Sequence, residues 1–278
     1  AELINGWATF TSSKQCSVKT KEGEILIEAE NVIIATGSTH IDLPFMPCDE
    51  KFVLSSTGAL NLQKVPKKVA IVGGGYIGLE LGCALSKLGS EVTVIEGMDS
   101  ILAIMDKEIR RPLEIWLKKN KVTVHTNSLA RGTKIKGKGA SSKVELTFEK
   151  NSEEQKIIVD KVLVTVGRSP NSRGWGLENM GIRMDTSGRF IRIDRQCRTS
   201  APGVYAIGDV AGEPMLAHKA SAQGEMVAEI ISGEKREFDK VAIPAIVFTE
   251  PEIVSVGLTP DEAEERGEEI ITGKFPLA

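Results

Sequence analysis

Val69-Ala70-Ile71-Val72-Gly73-Gly74-Gly75-Tyr76-Ile77-Gly78-Leu79-Glu80 is the stretch that decides the fold of this chain. Four apolar residues run without a polar break into a G-x-G-x-x-G turn. Helical periodicity then continues to Leu88, with Gly89 where a helix C-cap glycine belongs. The apolar run predicts a strand, and the glycine spacing predicts a tight exit into a helix. A second apolar strand, expected over 91–96, ends on Glu96, 18 residues beyond Gly78. In that setting the turn reads as a dinucleotide site. Gly73 permits the turn, Gly75 lets a pyrophosphate approach the backbone, and Gly78 lets helix and strand pack closely. The unpaired N–H groups and the dipole at the helix start favour the diphosphate. A tight turn without a ligand accounts for the glycines but gives no role to the acid at the strand end.

Glu96 also separates two cofactors. A carboxylate there accepts hydrogen bonds from the ribose hydroxyls of NAD, whereas NADP brings a phosphate to the same place. One like-charge pair at about 4 Å costs about 4 kcal/mol at an effective dielectric of about 20, roughly a thousandfold in affinity. No arginine lies in 97–103 to reverse this. The expectation is NAD.

Around this unit, strand and helix patterns alternate, which makes the class α/β. Strands are expected over 7–10, 16–20, 25–28 and 31–35, then a connector with Pro44 and Pro47 and a polar boundary up to Pro66. Beyond the glycine unit, a helix capped by Asp106 should run to about Asn120, kinked or shortened by Pro112. Further strands are expected over 121–126, 143–149 and 156–166, with the Lys- and Gly-rich 133–142 an exposed hairpin-type loop. Next come strands over 190–194 and 203–207 and an amphipathic helix over 215–232. A strand pair over 244–257, broken at Glu250-Pro251, and a short acidic helix over 261–266 close the pattern. The chain opens on Ala1 and stops at Phe275-Pro276-Leu277-Ala278 without a closing element, so both ends are expected to lie inside a longer protein.

Composition excludes several function classes. The 278 residues carry 35 basic and 38 acidic side chains, a net charge of −3, and 5% aromatics, so neither the basic field nor the stacking platforms of a nucleic-acid binder are present. No apolar run reaches the roughly 18–20 residues that span a bilayer, and no signal peptide is visible, so no membrane association is expected. Cys16, Cys48, Cys83 and Cys197 form no C-x-x-C or C-x4-C pair, and His40, His125 and His218 are equally scattered. No metal-ligand spacing appears and no metal is expected. A soluble protein of a reducing compartment, bacterial cytoplasm or organelle matrix, is the reading.

Three more apolar strands deliver their last residues to a glycine: Asn31-Val32-Ile33-Ile34-Ala35-Thr36-Gly37-Ser38, Val162-Leu163-Val164-Thr165-Val166-Gly167-Arg168-Ser169-Pro170-Asn171, and Val204-Tyr205-Ala206-Ile207-Gly208-Asp209. Each alone is a strand-to-loop exit, and Asp209 is placed to meet a polyol hydroxyl. Together with the G-x-G-x-x-G-x-E unit, in this order, they resemble the FAD-dependent pyridine nucleotide–disulfide oxidoreductases. Gly212-Glu213-Pro214-Met215-Leu216-Ala217-His218-Lys219-Ala220 is similar to the branch of that family that oxidises dihydrolipoamide, whereas the glutathione and mercuric reductases carry different residues there. Phe248-Thr249-Glu250-Pro251-Glu252-Ile253 and Val256-Gly257-Leu258-Thr259 are similar to the start of the family's dimerisation domain.

The resemblance implies a Rossmann-like NAD domain inserted in a partial FAD-binding domain, followed by the start of an α+β dimerisation domain. The divisions are 1–64 and 189–241 for FAD, 65–188 for NAD, and 242–278 for the interface. It implies that Gly73, Gly74, Gly75, Tyr76, Ile77, Gly78, Leu79 and Glu96 hold NAD, with Glu80 inward toward the flavin and Ala130 and Gly167 lining the NAD pocket. Ala35, Thr36, Gly37 and Ser38 would contact FAD, Asp209 the ribityl chain, and Met215, Leu216, Ala217 and His218 the isoalloxazine. His218 is a packing or cofactor-contact residue in this reading, and no catalytic residue is assigned. The implied partners are a second copy in a homodimer and the lipoyl domains of 2-oxo acid dehydrogenase complexes.

The family's first G-x-G-x-x-G, its C-x4-C dithiol and its His-Glu base have no counterpart in these residues. The chain is therefore expected to be the middle of an enzyme and inactive alone. Another flavin disulfide reductase or transhydrogenase remains open, as does a non-catalytic NAD-binding module complete in itself.

Overall fold

A computed structural model describes residues 1–238 and 243–275. The chain divides into two compact units, one formed by 1–39 with 168–243 and the other by 40–167 with 244–278. The expected division at 241/242 and the last residues, 276–278, lie outside the described residues.

The second unit holds the glycine turn. Its five-stranded parallel sheet runs in the order Val53–Leu54, Lys161–Val164, Lys68–Val72, Glu91–Ile95, Thr123–His125. Both faces are covered, which is why these strands read as unbroken apolar runs. Val69, Ile71, Val92, Val94 and Leu163 join a core with Leu79 and Cys83 of the helix Tyr76–Lys87 and Leu113 and Leu117 of the helix Lys107–Lys119. Their neighbours Ala70, Val72, Ile95, Val162 and Val164 turn the other way, onto Val144, Leu146 and Phe148 of an antiparallel sheet. The period of two along each strand thus fills two cores at once. That antiparallel sheet is built from Ser128–Lys136, Lys143–Lys150 and Glu153–Val159.

The first unit combines an antiparallel sheet, Trp7–Phe10, Gln15–Lys19 and Glu24–Glu28, with a parallel pair, Val32–Ile34 beside Val204–Ala206. Ile34, Trp175, Leu177, Ile191, Val204 and Ala206 form its core, and the helix Ala217–Ile231 buries Met226, Val227 and Ile230 in a second cluster. Among the described residues no helix is long and apolar enough to cross a membrane.

Four expectations change. The strand expected over 156–166 is two strands in different sheets, broken at Asp160. There the Asp160 carboxylate accepts the N–H of Lys68 at 2.8 Å and pairs with Lys143, while its own N–H donates to the Lys68 carbonyl at 2.9 Å. The loop expected over 133–142 is strand as far as Lys136. Residues 190–194 form only an isolated bridge between Met184 and Ile191. Asp185 and Asp194 flank the segment, and their carboxylates accept backbone N–H groups of Phe190 and Arg198, so local turns replace ladder pairing. Pro112 does not shorten its helix, which runs Lys107–Lys119. Pro112 has no N–H to give the Glu108 carbonyl, but both residues are exposed, so that carbonyl is not shut away from solvent, and buried Leu113 and Leu117 anchor the turns beyond.

Helix and sheet meet closest at Gly78. A Cβ there would lie 2.6 Å from Thr165 Oγ1, 3.0 Å from Ile71 Cγ2, and nearer still to the Gly73 carbonyl oxygen. Gly78→Ala is expected to destabilise the protein by about 2 kcal/mol or more and to lower the melting temperature by about 4 °C or more, read by thermal unfolding.

Candidate functional site

The turn that opens the helix Tyr76–Lys87 is assembled by three neighbours. Gly73 sits at φ +106°, and its N–H donates to the Ile95 carbonyl at 2.9 Å. A side chain at Gly73 would come within 2.5 Å of the Thr165 carbonyl oxygen. At Gly74 a Cβ would meet Glu96 Oε2 and Ile101 Cγ2, each at 3.0 Å. The Gly74 carbonyl accepts the N–H of Leu102 at 2.9 Å, so the segment after Glu96 folds against the turn.

Gly75 is different. Its φ of −77° suits any residue, and a Cβ there would touch no protein atom within 4 Å. Neither backbone strain nor packing calls for glycine at this position, although it is the helix N-cap. A ligand lying against the backbone does call for it. The helix it opens has no acidic residue in its first turn to compete with a diphosphate. The turn fits a dinucleotide on this ground.

Glu96 has a second job that the spacing did not disclose. Its Oε2 accepts the N–H of Gly74 at 2.5 Å and its Oε1 accepts the N–H of Met98 at 2.7 Å. Charge-assisted bonds of this kind contribute about 1.5–3 kcal/mol each. The acid at the strand end therefore has a structural reason to be there even without a ligand. Each oxygen keeps acceptor capacity after one such bond, so ribose hydroxyls remain chemically compatible partners.

The remaining residues singled out in this unit lie as follows. Tyr76 and Ile77 are half-buried and Leu79 is fully buried. Glu80 Oε1 accepts the N–H of Phe248 at 2.8 Å, so in this unit its carboxylate is tied to the residue that follows the first strand of the hairpin Ala245–Val247 and Ile253–Ser255. Ala130 is half-buried on the strand that leaves Glu96, where the Ser128 N–H donates to the Glu96 carbonyl at 2.8 Å, and it borders a bulge ending at Gly132. Gly167, at φ +132°, accepts the N–H of Ile41 at 3.1 Å. His125 is a packing residue: burial lowers its pKa, with Lys150 adding to the shift, and its ring leans on Phe148 at 5.1 Å.

In the first unit, residues from three separate segments converge. Ser38 Oγ donates to Asp209 Oδ2 at 2.5 Å, and Arg168 Nε donates to Ser38 Oγ at 2.7 Å while its Nη2 reaches the Ser38 carbonyl at 2.6 Å. Thr36 Oγ1 donates to the Asn171 carbonyl at 2.8 Å, and the N–H of Asn171 donates to the Gly37 carbonyl at 2.9 Å. Ala35 and Thr36 are exposed, and Gly37, Ser38 and Asp209 are half-buried. Gly208, at φ +72°, donates its N–H to buried Gln223 at 2.8 Å. A Cβ at Gly208 would lie 3.0 Å from that of Ala220, so glycine lets the helix Ala217–Ile231 close on the strand end. Met215 and Leu216 are half-buried before that helix, and Ala217 and His218 are exposed in its first turn. Asp209 is thus fixed by Ser38 while its carboxylate keeps acceptor sites for a polyol, which fits a ribityl chain. Arg168 was passed over as a site residue, although its T-V-G-R-S-P-N context pointed to it.

The chain belongs to the pyridine nucleotide-disulphide oxidoreductase family, whose model matches residues 2–224; the model of that family's dimerisation domain matches 243–278. Dihydrolipoyl dehydrogenases of Pseudomonas aeruginosa and Bacillus subtilis are each 44% identical over 278 residues, covering 100% of this chain and 58% of the relative. The chain therefore spans 58% of the length of these curated relatives. Among solved structures it is similar to the HOCl-induced flavoprotein disulfide reductase RclA of Escherichia coli, with a TM-score of 0.82 and 28% identity over 95% of this chain and 59% of that one. LpdA of Mycobacterium tuberculosis gives a TM-score of 0.81 and 29% identity, covering 95% of this chain and 56% of that chain. Members of the family use FAD and NAD.

Gly75 separates ligand contact from folding. Gly75→Ala is expected to shift the melting temperature by no more than about 3 °C, since only an N-cap preference is lost. If the turn takes a diphosphate, the same change should weaken NADH at least about tenfold by calorimetry, because the added methyl group would project into the open space in front of the turn. Unchanged affinity would remove the turn from the binding site.

Proposed function

We propose that this chain is the cofactor-holding middle of a dihydrolipoyl dehydrogenase, a flavoenzyme that oxidises protein-bound dihydrolipoamide to lipoamide, reducing NAD+ to NADH and releasing a proton. The 44% identity to enzymes of that name along the whole chain supports this over another disulfide reductase such as RclA, where identity is 28%. The observation that carries the NAD role is Gly75, a glycine the protein itself does not require.

In this reading 65–188 holds NAD. The first turn of the helix Tyr76–Lys87 takes the diphosphate, Glu96 accepts the adenosine ribose hydroxyls, and Ala130 and Gly167 line the pocket. Residues 1–64 and 189–241 hold FAD, with Ala35, Thr36, Gly37 and Ser38 against it, Asp209 on the ribityl chain, and Met215, Leu216, Ala217 and His218 beside the ring. FAD and NAD supply hydride transfer, and the protein supplies position and electrostatics. Residues 242–278 begin a homodimer interface, in keeping with exposed Phe248, Val254, Val256 and Leu258. Lipoyl domains of 2-oxo acid dehydrogenase complexes are the protein partners, and a reducing compartment, bacterial cytoplasm or organelle matrix, is the setting.

Thiol exchange needs a thiolate. The four cysteines form no disulfide. Burial raises the Cys16 and Cys83 thiols above their ordinary pKa, and burial followed by the Asp42 hydrogen bond pushes Cys48 up to about 12. Cys197 is fully buried. These residues supply no thiolate relay, so the chain alone should reduce no lipoamide; turnover above a buffer blank would contradict that.

Calorimetric titration of NADH and NADPH against wild type and Glu96→Ala tests the nucleotide assignment. Wild type should prefer NADH by at least about tenfold, and Glu96→Ala should narrow that ratio as well as weaken NADH. If Glu96 only braces the turn, both nucleotides weaken together and the ratio stays. Equal affinities in wild type would end the proposal of an NAD site.

A further inference from the structure

The connector between the two units' sequences carries a side-chain cluster that the NAD and FAD readings leave unused. His40, Asp42 and Cys48 all belong to the second unit, and one ligand atom from each, imidazole nitrogen, carboxylate oxygen and thiol sulfur, lies within 4.8 Å of the others. Their H-x-D-x5-C spacing matches none of the metal patterns sought in the sequence; the fold of the loop brings them together. We propose that His40, Asp42 and Cys48 form a three-ligand site for a borderline divalent cation of the zinc class.

The donor set selects that class. Nitrogen, oxygen and sulfur together suit Zn2+ and its neighbours, whereas Mg2+ and Ca2+ take all-oxygen shells. Carboxylate and thiolate balance the two charges of the ion, and the fourth position is left to water, the arrangement of an open zinc site. Tetrahedral bonds of about 2.0–2.3 Å place neighbouring ligand atoms about 3.4 Å apart. His40 Nε2 and Asp42 Oδ1 already stand 3.6 Å apart, and no pair needs to close by more than roughly 1.4 Å.

The loop is also built before any ion arrives. Ile41 donates to the Gly167 carbonyl at 3.1 Å, Met46 to the Leu43 carbonyl at 2.8 Å, and the Cys48 N–H to Asp42 Oδ1 at 3.0 Å. Met46 is 1% exposed and pins the loop to the core, and Pro44 and Pro47 stiffen it. Binding therefore orders little new chain. It replaces the thiol proton of Cys48, which leaves to solvent, with a metal–sulfur bond and changes no oxidation state. The result is a clip across residues 40–48, ahead of the edge strand Val53–Leu54.

Co2+ is the probe, because a thiolate bound to it gives a charge-transfer absorption that water or carboxylate ligands do not. Titration of the purified chain should saturate at one Co2+ with that band present, and Zn2+ should abolish it. Cys48→Ser should lose the band. His40→Ala and Asp42→Asn should weaken Co2+ at least about tenfold. Cys16→Ser, in the other unit, should change nothing. No band in wild type, a band surviving Cys48→Ser, or undiminished affinity in His40→Ala would each overturn the site. Should Cys48→Ser fail to fold by circular dichroism, maleimide labelling of wild type mapped by mass spectrometry decides. Zn2+ should slow labelling at Cys48 and leave Cys16 unaffected, and equal slowing or none at Cys48 would reject the proposal.

Discussion

The absence of a Cβ at Gly78 governs the geometry of the second unit. With no side chain there, the helix Tyr76–Lys87 comes down until Gly78 lies against Ile71, Thr165 and the Gly73 carbonyl. That approach sets where the helix begins, and so where its first N–H groups emerge relative to the ends of the parallel strands. Thr165 Oγ1 donates to the Gly73 carbonyl at 3.0 Å, tying the end of the strand Lys161–Val164 to the turn itself. Ile95 and Glu96 complete the frame from the neighbouring strand. One close contact thus turns three strand ends and a helix start into a single rigid concavity, in the place where open α/β sheets bind their ligands.

What was legible in the sequence follows from how locally each feature is determined. The strand Lys68–Val72 and the glycine turn were readable because burial on both faces and steric closeness leave direct marks on residue type. The break at Asp160 was not, since Ile157, Ile158 and Val159 before it and Val162, Leu163 and Val164 after it are apolar alike and only the sheet they join differs. The segment around Ile191 carries strand-like residues, but Asp185 and Asp194 gave their oxygens to nearby N–H groups and took the backbone out of any ladder. Pro112 is the reverse case: a proline inside a helix costs little where the carbonyl it cannot bond is exposed.

The site shows the same division. Glu96 was identified by position, yet its bonds to Gly74 and Met98 depend on how 97–102 folds back over the turn, which no spacing encodes. The acid therefore cannot by itself argue for a ligand; Gly75 can, because neither backbone strain nor packing demands glycine there and only an N-cap preference favours it. In the first unit the sequence marked three separate segments without saying that they meet. The fold joins them through Ser38, which accepts from Arg168 and donates to Asp209, so a cation two bonds removed steadies a carboxylate without directly neutralising it. An acceptor held this way stays available for hydroxyl groups.

Glu80 carries the argument one step further. It lies on the helix that begins at the glycine turn, and its carboxylate holds the N–H of Phe248, while Lys87, seven residues on, pairs with Glu250. Residues seven apart share a helix face, so both contacts fall on one side of a single helix. Val247 and Ile253 of the hairpin reach the same core as Leu79 and Cys83. The helix therefore begins at the turn proposed to take a dinucleotide and gives a later face to the segment that opens the dimerisation domain. The hairpin and the glycine turn are thus both held by one helix, Tyr76–Lys87, at different points along its length.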